Sequence, residues 1–460
     1  MKKMKKETIN IIIYVLLFLA GITVCFLRTS YAVMSPVMYT EDGSWISAII
    51  ENGLIDTCLT AKGSYLVAGN VLLLYISWWL NLLFFGANLT YLPVFVALVS
   101  YVYYVVLAGL PLYLMKNLMD IKARIILYFA ILCVPMGTSI SEVYGRISNI
   151  GYGCFFIAFI LMLYLFLEKN SKHSIKTAGA YAGLLLCCVT NPTCYIILAV
   201  VLLWNMWKAF RVYGFKLVLK WEGILIFITG ILACISLILM YLNKHMEIGQ
   251  ESVEIVSGGL IEYFFRALAF VFMWPFYCSM NDIWAVVILM LMIGFFAFSF
   301  WMVKDKTYRI LLALSYGATI FYTVITLFMR KTLTSQLSGY TTTFPDRYFY
   351  VQELLVLLDF CIILSAVFQK KISNKVWDKI VLGIFGVAVL VNVFHLKQIF
   401  ELNHSQYIDC SVTFAQMVES AYDAQGEQES YNVEIPIPGF SMELPAKYVK
   451  ATVEYNRGGS

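Results

Sequence analysis

Charge is scarce in this 460-residue chain: 13% of its residues are Asp, Glu, Lys or Arg, against 61% that are hydrophobic. With a mean hydropathy of +0.79, that composition excludes a water-soluble globule and leaves a polytopic α-helical membrane protein. Histidine is scarcer still, at four residues. With so few imidazoles and no Cys-x-x-Cys pair, no metal site is read from the residues. The eleven cysteines fall mostly inside apolar runs (Cys133, Cys187, Cys188, Cys234, Cys361), where they behave as small hydrophobes. The net charge of +5 is spread among short loops, so nucleic acid is excluded as a partner. No tandem repeat or low-complexity tract is present. A removable leader is not expected either, because the first apolar run is too long and lacks a small-residue cleavage pattern.

What the chain does have is a series of spanning-length runs with charge sorted between them. The first, Thr8 to Leu27, follows Lys2, Lys3, Lys5 and Lys6, which hold the N-terminus in the cytoplasm. Most remaining lysines and arginines cluster at Lys116–Arg124, Glu168–Lys176, Lys208–Lys220, Lys304–Arg309 and Lys370–Lys379, while the intervening outer loops carry most of the acids. Keeping that asymmetry requires Tyr65–Phe85 to lie in the outer interface without crossing. Gly69, Asn70, Ser77, Asn81 and Trp78-Trp79 suit headgroup depth there. Residues 28–90 then form a long first outer loop. Further spans are expected at 91–115, 124–140, 150–167, 177–190, 194–208, 223–242, 284–303, 310–329, 348–368 and 379–396, about eleven crossings with an outer C-terminus. Asn191-Pro192-Thr193 reads as a tight turn between two short spans, the alternative being one proline-kinked helix. The chain divides into a membrane domain, 1–396, and a small extracytoplasmic segment, 397–460. In that segment Val433-Glu434-Ile435-Pro436 alternates like a strand, and Pro438-Gly439 marks a turn.

Three outer-face groups carry candidate chemistry. The acidic pair Glu41-Asp42, after Tyr39-Thr40 and before Gly43-Ser44-Trp45, stands ahead of a short amphipathic helix lying on the membrane. A carboxylate there is placed to take a proton from a hydroxyl; the plain alternatives are a solvated pair and N-capping by Asp42. Asp346-Arg347-Tyr348-Phe349-Tyr350 stands at the outer end of a span, where an arginine forks onto phosphate or simply pairs with Asp346 inside an aromatic belt. Arg266, on a second interfacial helix with Glu262, meets a lipid phosphate or snorkels. Glu142 and Arg146 have helix-compatible spacing, which reads as a mutual ion pair or as cavity lining.

Taken in order, these elements resemble the GT-C superfamily of integral-membrane glycosyltransferases, especially the protein O-mannosyltransferase-like branch of bacterial members. The matching features are Glu41-Asp42 after the first span, the long first outer loop with two membrane-lying helices, Lys62-Gly63-x-Tyr65, Gly86-Ala87-Asn88 before the next true span, and Asp346-Arg347-Tyr348 before a late one. The resemblance covers nearly the whole chain by architecture, through short motifs. It implies transfer of a sugar from a polyprenyl-phosphate donor to a cell-envelope acceptor (glycan, lipid or protein) outside a bacterial cytoplasmic membrane. It further implies a first-loop carboxylate as base, carried onto Glu41 or Asp42. The acid order is reversed from that of the branch, and no Lys-Pro-Pro-like turn follows Lys62. The large soluble domain of oligosaccharyltransferases is absent.

The expected mechanism is an inverting displacement in which Arg347, with Arg266 and Lys62, holds the donor phosphate. Tyr39, Glu142, Arg146, Asp346, Tyr348 and Tyr350 are candidate cavity-lining residues. No cofactor is expected besides the lipid-linked donor. The rival readings are a flippase or transporter for lipid-linked glycans, and a polysaccharide polymerase or ligase. Against transport, Asp359 is a clear exception in spans otherwise nearly free of ionisable residues at their centres.

Overall fold

The computed structural model describes residues 2–60, 65–136, 143–167, 175–243, 260–273, 282–329, 346–396, 412–437 and 439–458. Its helices are α1 (Lys2–Arg28), α2 (Tyr31–Met34), α3 (Thr40–Thr60), α4 (Ala68–Phe85), α5 (Leu92–Leu114), α6 (Ile121–Cys133), α7 (Gly151–Leu167), α8 (Ile175–Cys188), α9 (Cys194–Tyr213) and α10 (Trp221–Asn243). They continue with α11 (Leu260–Met273), α12 (Asp282–Met302), α13 (Lys306–Met329), α14 (Tyr350–Phe368), α15 (Lys375–Phe394), α16 (Phe414–Gln425) and α17 (Ala446–Gly458). Strands β1 (Ser430–Glu434) and β2 (Ser441–Pro445) form one antiparallel hairpin between α16 and α17. Among the described residues, nine helices are long and apolar enough to cross a membrane, and α7 and α8 are shorter apolar helices. The chain is a multi-pass, all-α membrane protein with a small C-terminal α/β element.

Two compact units emerge, one of residues 1–105, 141–249 and 403–460, the other of residues 106–140 and 250–402. In the first, α3 is the pivot. Its apolar positions Trp45, Ile46 and Ile49 share a core with Val71 and Leu74 of α4 and with Phe414, Val418, Tyr431, Val433, Met442 and Leu444 of the C-terminal element. The hairpin register pairs Tyr431 with Leu444 and Val433 with Met442, so the alternation of β1 turns one face into that core. A capping box starts α16: Gln416 N–H donates to Thr413 Oγ1, and Thr413 N–H donates to Gln416 Oε1 at 2.8 Å. Thr452 of α17 accepts from Leu89 N–H at 2.9 Å, and Phe414 N–H donates to Pro36 O at 3.1 Å. In the second unit α14 is almost wholly enclosed, with 94% of its window buried, whereas α15 is 6% buried and presents its apolar side chains outward. An outward face of that kind needs lipid around it.

Several boundaries differ from those expected. The span expected at 124–140 is helical only as α6 to Cys133, after which Val134–Met136 are irregular; 137–142 lie outside the described residues. The short span expected at 194–208 is the full-length α9, reaching Tyr213 before Gly214 turns the chain at φ +55°. Asn191 does make the tight turn, its Oδ1 accepting from Thr193 N–H at 3.1 Å and Thr193 Oγ1 at 2.7 Å.

The amphipathic helix expected after Gly43 begins earlier, at Thr40, and breaks at Gly53. The polar residues of α4 expected at headgroup depth are instead buried against protein. Asn70 Nδ2 donates to Ile147 O at 2.7 Å and Ser148 O at 2.8 Å, and Asn81 Nδ2 donates to Asn88 O at 2.8 Å. Inside a core an amide needs partners, and backbone carbonyls of neighbouring segments supply them. By length and composition α4 also qualifies as a span.

Candidate functional site: a buried carboxylate beside Arg146

Asp42 lies in the first turn of α3, yet its side chain does not cap that helix. The carboxylate is fully buried, and its Oδ2 accepts from the Ile147 amide at 3.1 Å. Among the described residues Oδ1 has no hydrogen-bond partner. Desolvation dominates and pushes the Asp42 carboxyl up to about 7; the Ile147 amide, the neighbouring Arg146 charge and the Ser148 amide pull the other way. Glu41, beside it in sequence, is only half-buried. The preceding residue, Thr40, has φ +36°, a costly conformation for a β-branched side chain, at the point where the chain enters α3.

The segment that meets Asp42 is 143–150, and four elements fix it. Asn70 of α4 holds the Ile147 and Ser148 carbonyls; from α5, Ser100 Oγ donates to Arg146 O at 2.8 Å and Tyr103 Oη donates to Ile150 O at 2.7 Å. Gly145 sits at φ +78° against Ala32 of α2, where a Cβ would fall 2.7 Å from the alanine methyl. Arg146 is 1% exposed; its Nη1 donates to Val37 O at 2.7 Å, and its guanidinium lies 4.9 Å from the Tyr39 ring centroid. Arg28, the last residue of α1, is equally buried and lies 4.6 Å from the Tyr144 ring centroid. Tyr144 in turn meets Tyr104 of α5, ring centroids 4.6 Å apart. The cluster therefore gathers two guanidiniums, one carboxylate and several phenols with almost no contact with bulk water. Such a low-dielectric setting strengthens every charge interaction inside it.

The sequence-predicted residues divide accordingly. Asp42, Arg146 and Tyr39 come together in the first unit. Arg146 lies in a turn segment and not on a helix, and a carboxylate it adjoins is Asp42; its expected partner Glu142 lies outside the described residues. Glu142 and Lys62 lie outside the described residues, as does the Asp346 side chain. In the second unit Arg266 forms an i,i+4 ion pair with Glu262, which engages one edge of its guanidinium. Arg347, in the 3-10 turn Asp346–Tyr348, donates to Tyr348 Oη at 3.3 Å and lies 5.0 Å from that ring's centroid. Tyr350 is buried at the start of α14. Sequence reasoning missed Arg28, Tyr104, Tyr144 and the Ile147 amide. Arg28 alone carried a signal, as a cation at the C-terminal end of a first span whose other cations precede it.

No family model and no curated protein sequence matches the chain. Among solved structures it is similar to ArnT from Cupriavidus metallidurans bound to undecaprenyl phosphate, at 13% identity and a TM-score of 0.47, covering 97% of this chain and 75% of that one. A likeness at that level carries no inference about chemistry.

Proposed function

We propose that the chain is a glycosyltransferase of the GT-C kind, moving a sugar from a polyprenyl-phosphate donor to a hydroxyl acceptor on the outer face of a bacterial cytoplasmic membrane. Its N-terminus lies inside and its C-terminus outside. Asp42 is the general base. The observation that carries this reading is the setting of Asp42: a fully buried carboxyl with a value of about 7 and one oxygen without a partner among the described residues. A base poised near the working pH removes a proton with the least loss of either population or driving force. Glu41, adjacent but half-exposed, lacks that environment.

In the reaction Asp42 takes the acceptor proton as the oxygen attacks the anomeric carbon. The sugar–phosphate bond breaks with inversion, and the polyprenyl phosphate leaves with the bonding electrons. Arg347 and Lys62 are the donor-phosphate contacts of this proposal. Arg266 joins them only by exchanging its ion pair with Glu262 for the phosphate.

Reconstitution in liposomes with a polyprenyl-phosphate sugar tests the reading by release of polyprenyl phosphate. Asp42→Asn loses about 10²–10⁴-fold in rate while inserting normally, and Glu41→Gln stays within about threefold. Full activity in both Asp42→Asn and the double variant would overturn the assignment. A strict requirement for a diphosphate-linked oligosaccharide donor would point to a polymerase or ligase instead.

One observation favours a transport reading. Glu353 and Asp359 are both enclosed on α14, and buried ionisable groups within a span often line ion or substrate paths. Passage of the intact lipid-linked sugar across the bilayer, without bond cleavage, is the outcome that supports it.

A further inference from the structure

The Asp42 carboxylate is met by backbone: the Ile147 amide donates to it at 3.1 Å, and the Ser148 amide also favours its ionised form. Which way those two N–H groups point is set from their far ends. A trans peptide is planar, so the carbonyl of one residue and the N–H of the next point to opposite sides of one rigid unit. Among the described residues every peptide bond is trans. The Ile147 N–H therefore shares a unit with the Arg146 carbonyl, and the Ser148 N–H shares one with the Ile147 carbonyl.

Both carbonyls are gripped by buried side chains. Ser100 Oγ of α5 donates to Arg146 O at 2.8 Å, and Asn70 Nδ2 of α4 donates to Ile147 O at 2.7 Å. Neither side chain is more than 2% exposed. The start of α4, which carries Asn70, is itself docked. Its Ala68 N–H donates to Val189 O at 3.1 Å and its Gly69 N–H to Thr190 Oγ1 at 3.0 Å, and a Cβ on Gly69 would fall 2.4 Å from that oxygen. These are helix-start donors that no carbonyl of the helix itself can satisfy. Tyr103 holds the same segment differently. Its Oη donates to Ile150 O, in a unit whose N–H belongs to Gly151 and is not one of the two that favour the Asp42 carboxylate.

We infer that Ser100 and Asn70 are positioning residues for Asp42, acting through two peptide planes to aim the Ile147 and Ser148 amides at its carboxylate. Their effect on turnover rests on the general-base reading; the aiming does not. Among the described residues, the charged and titratable groups that act on Asp42 are Arg146, Glu41 of its own helix and the Tyr104 phenol of α5. Ser100 carries the larger share, because without Asn70 the Ile147 carbonyl still accepts from the Ile150 amide at 3.1 Å.

Infrared titration of the full chain in detergent, with no donor present, tests this. The carbonyl stretch of the protonated Asp42 carboxyl, assigned by its loss in Asp42→Asn, is followed against pH. Misaiming an amide that favours the ionised form raises the midpoint. Ser100→Ala shifts it upward by about one unit, the scale of one hydrogen bond to a charged group. Asn70→Leu shifts it upward by less, and Tyr103→Phe, which loosens the same segment at a different peptide, leaves it in place. Melting temperatures check the fold of each variant; Ser100→Ala deletes a single oxygen and decides the matter if Asn70→Leu fails to fold. An unchanged midpoint in Ser100→Ala, or an equal shift in Tyr103→Phe, overturns the inference. In the transfer assay the base limb of the pH–rate profile of Ser100→Ala moves upward with the titration. A shifted titration in a chain that transfers no sugar leaves the positioning intact and refutes only the general-base reading.

Discussion

Asp42 and Asp359 are both withdrawn from solvent, and the chain meets the cost of burying them differently. Asp359 lies within α14, the most enclosed span, where its polar neighbours are the Ser315 and Thr319 hydroxyls of α13. Asp42 lies at the start of a helix outside the spans, beside backbone amides and an arginine. Each carboxyl leaves one oxygen, Oδ1, without a partner among the described residues. Hydroxyls from a facing helix suit a carboxyl that joins two helices. An amide and a guanidinium, which favour the ionised form, suit a carboxyl that exchanges its proton with something else. Burial alone does not distinguish function; the partners do.

The largest effect that breaks or sharpens this contrast is on turnover. Where Asp42→Asn removes transfer, Asp359→Asn leaves the rate of polyprenyl phosphate release within about threefold and shows its effect as lowered thermal stability, by about 1–3 kcal/mol. Loss of transfer with unchanged stability in Asp359→Asn would collapse the distinction. Next in size is Arg146→Ala. Its charge holds the Asp42 carboxyl down, so its removal shifts the base-limb midpoint of the pH–rate profile above 7. A shift of one unit lowers the rate at pH 7 by about fivefold and is recovered at higher pH. A variant that is merely misfolded shows no such recovery.

The smallest effect is on stability against pH. Folded Asp42 titrates near 7 and its unfolded form near 3.8, so the folded chain keeps a proton that the unfolded chain has released between those values. The associated stability is complete below the lower value and is lost as pH rises through the higher one. The melting temperature of the parent chain therefore falls between about pH 4 and 7 by more than that of Asp42→Asn, which has no carboxyl to titrate.

Much of this architecture was legible from hydrophobic runs. Spans such as α7, α10, α12 and α14 fall within a few residues of their expected positions, because an apolar run of spanning length has few other stable outcomes in a bilayer. The turn at Asn191 was legible for local reasons, as Asn-Pro acts within a few bonds. The strand expected at Val433–Pro436 overlaps the end of β1, but its hairpin partner β2 was not expected. Failures came where a residue's environment is set by distant segments. Asn70 looked like an interfacial polar residue because nothing near it in sequence announces the Ile147 and Ser148 carbonyls that its amide meets. Arg146 looked helical from its spacing, whereas it lies in a turn segment beside Asp42, which comes from another part of the chain. The acidic pair itself was visible, but which of its members is enclosed depends on the 143–150 segment and had no local signal.

That separation along the chain bears on how the protein is made. Asp42 precedes its amide donor Ile147 by 105 residues. At about 5–20 residues per second, the carboxylate waits roughly 5–20 s for its partner after leaving the ribosome. The apolar stripe Trp45, Ile46 and Ile49 waits longer, since Phe414, Met442 and Leu444 lie much further along the chain than Ile147. Until then the oily face of α3 is covered only in part, by Val71 and Leu74 of α4, and the nearby membrane surface is the natural place to shelter the rest. A ribosome stalled before the C-terminal element leaves a chain with its spans inserted and Asp42 in place, but with α3 still lying on lipid.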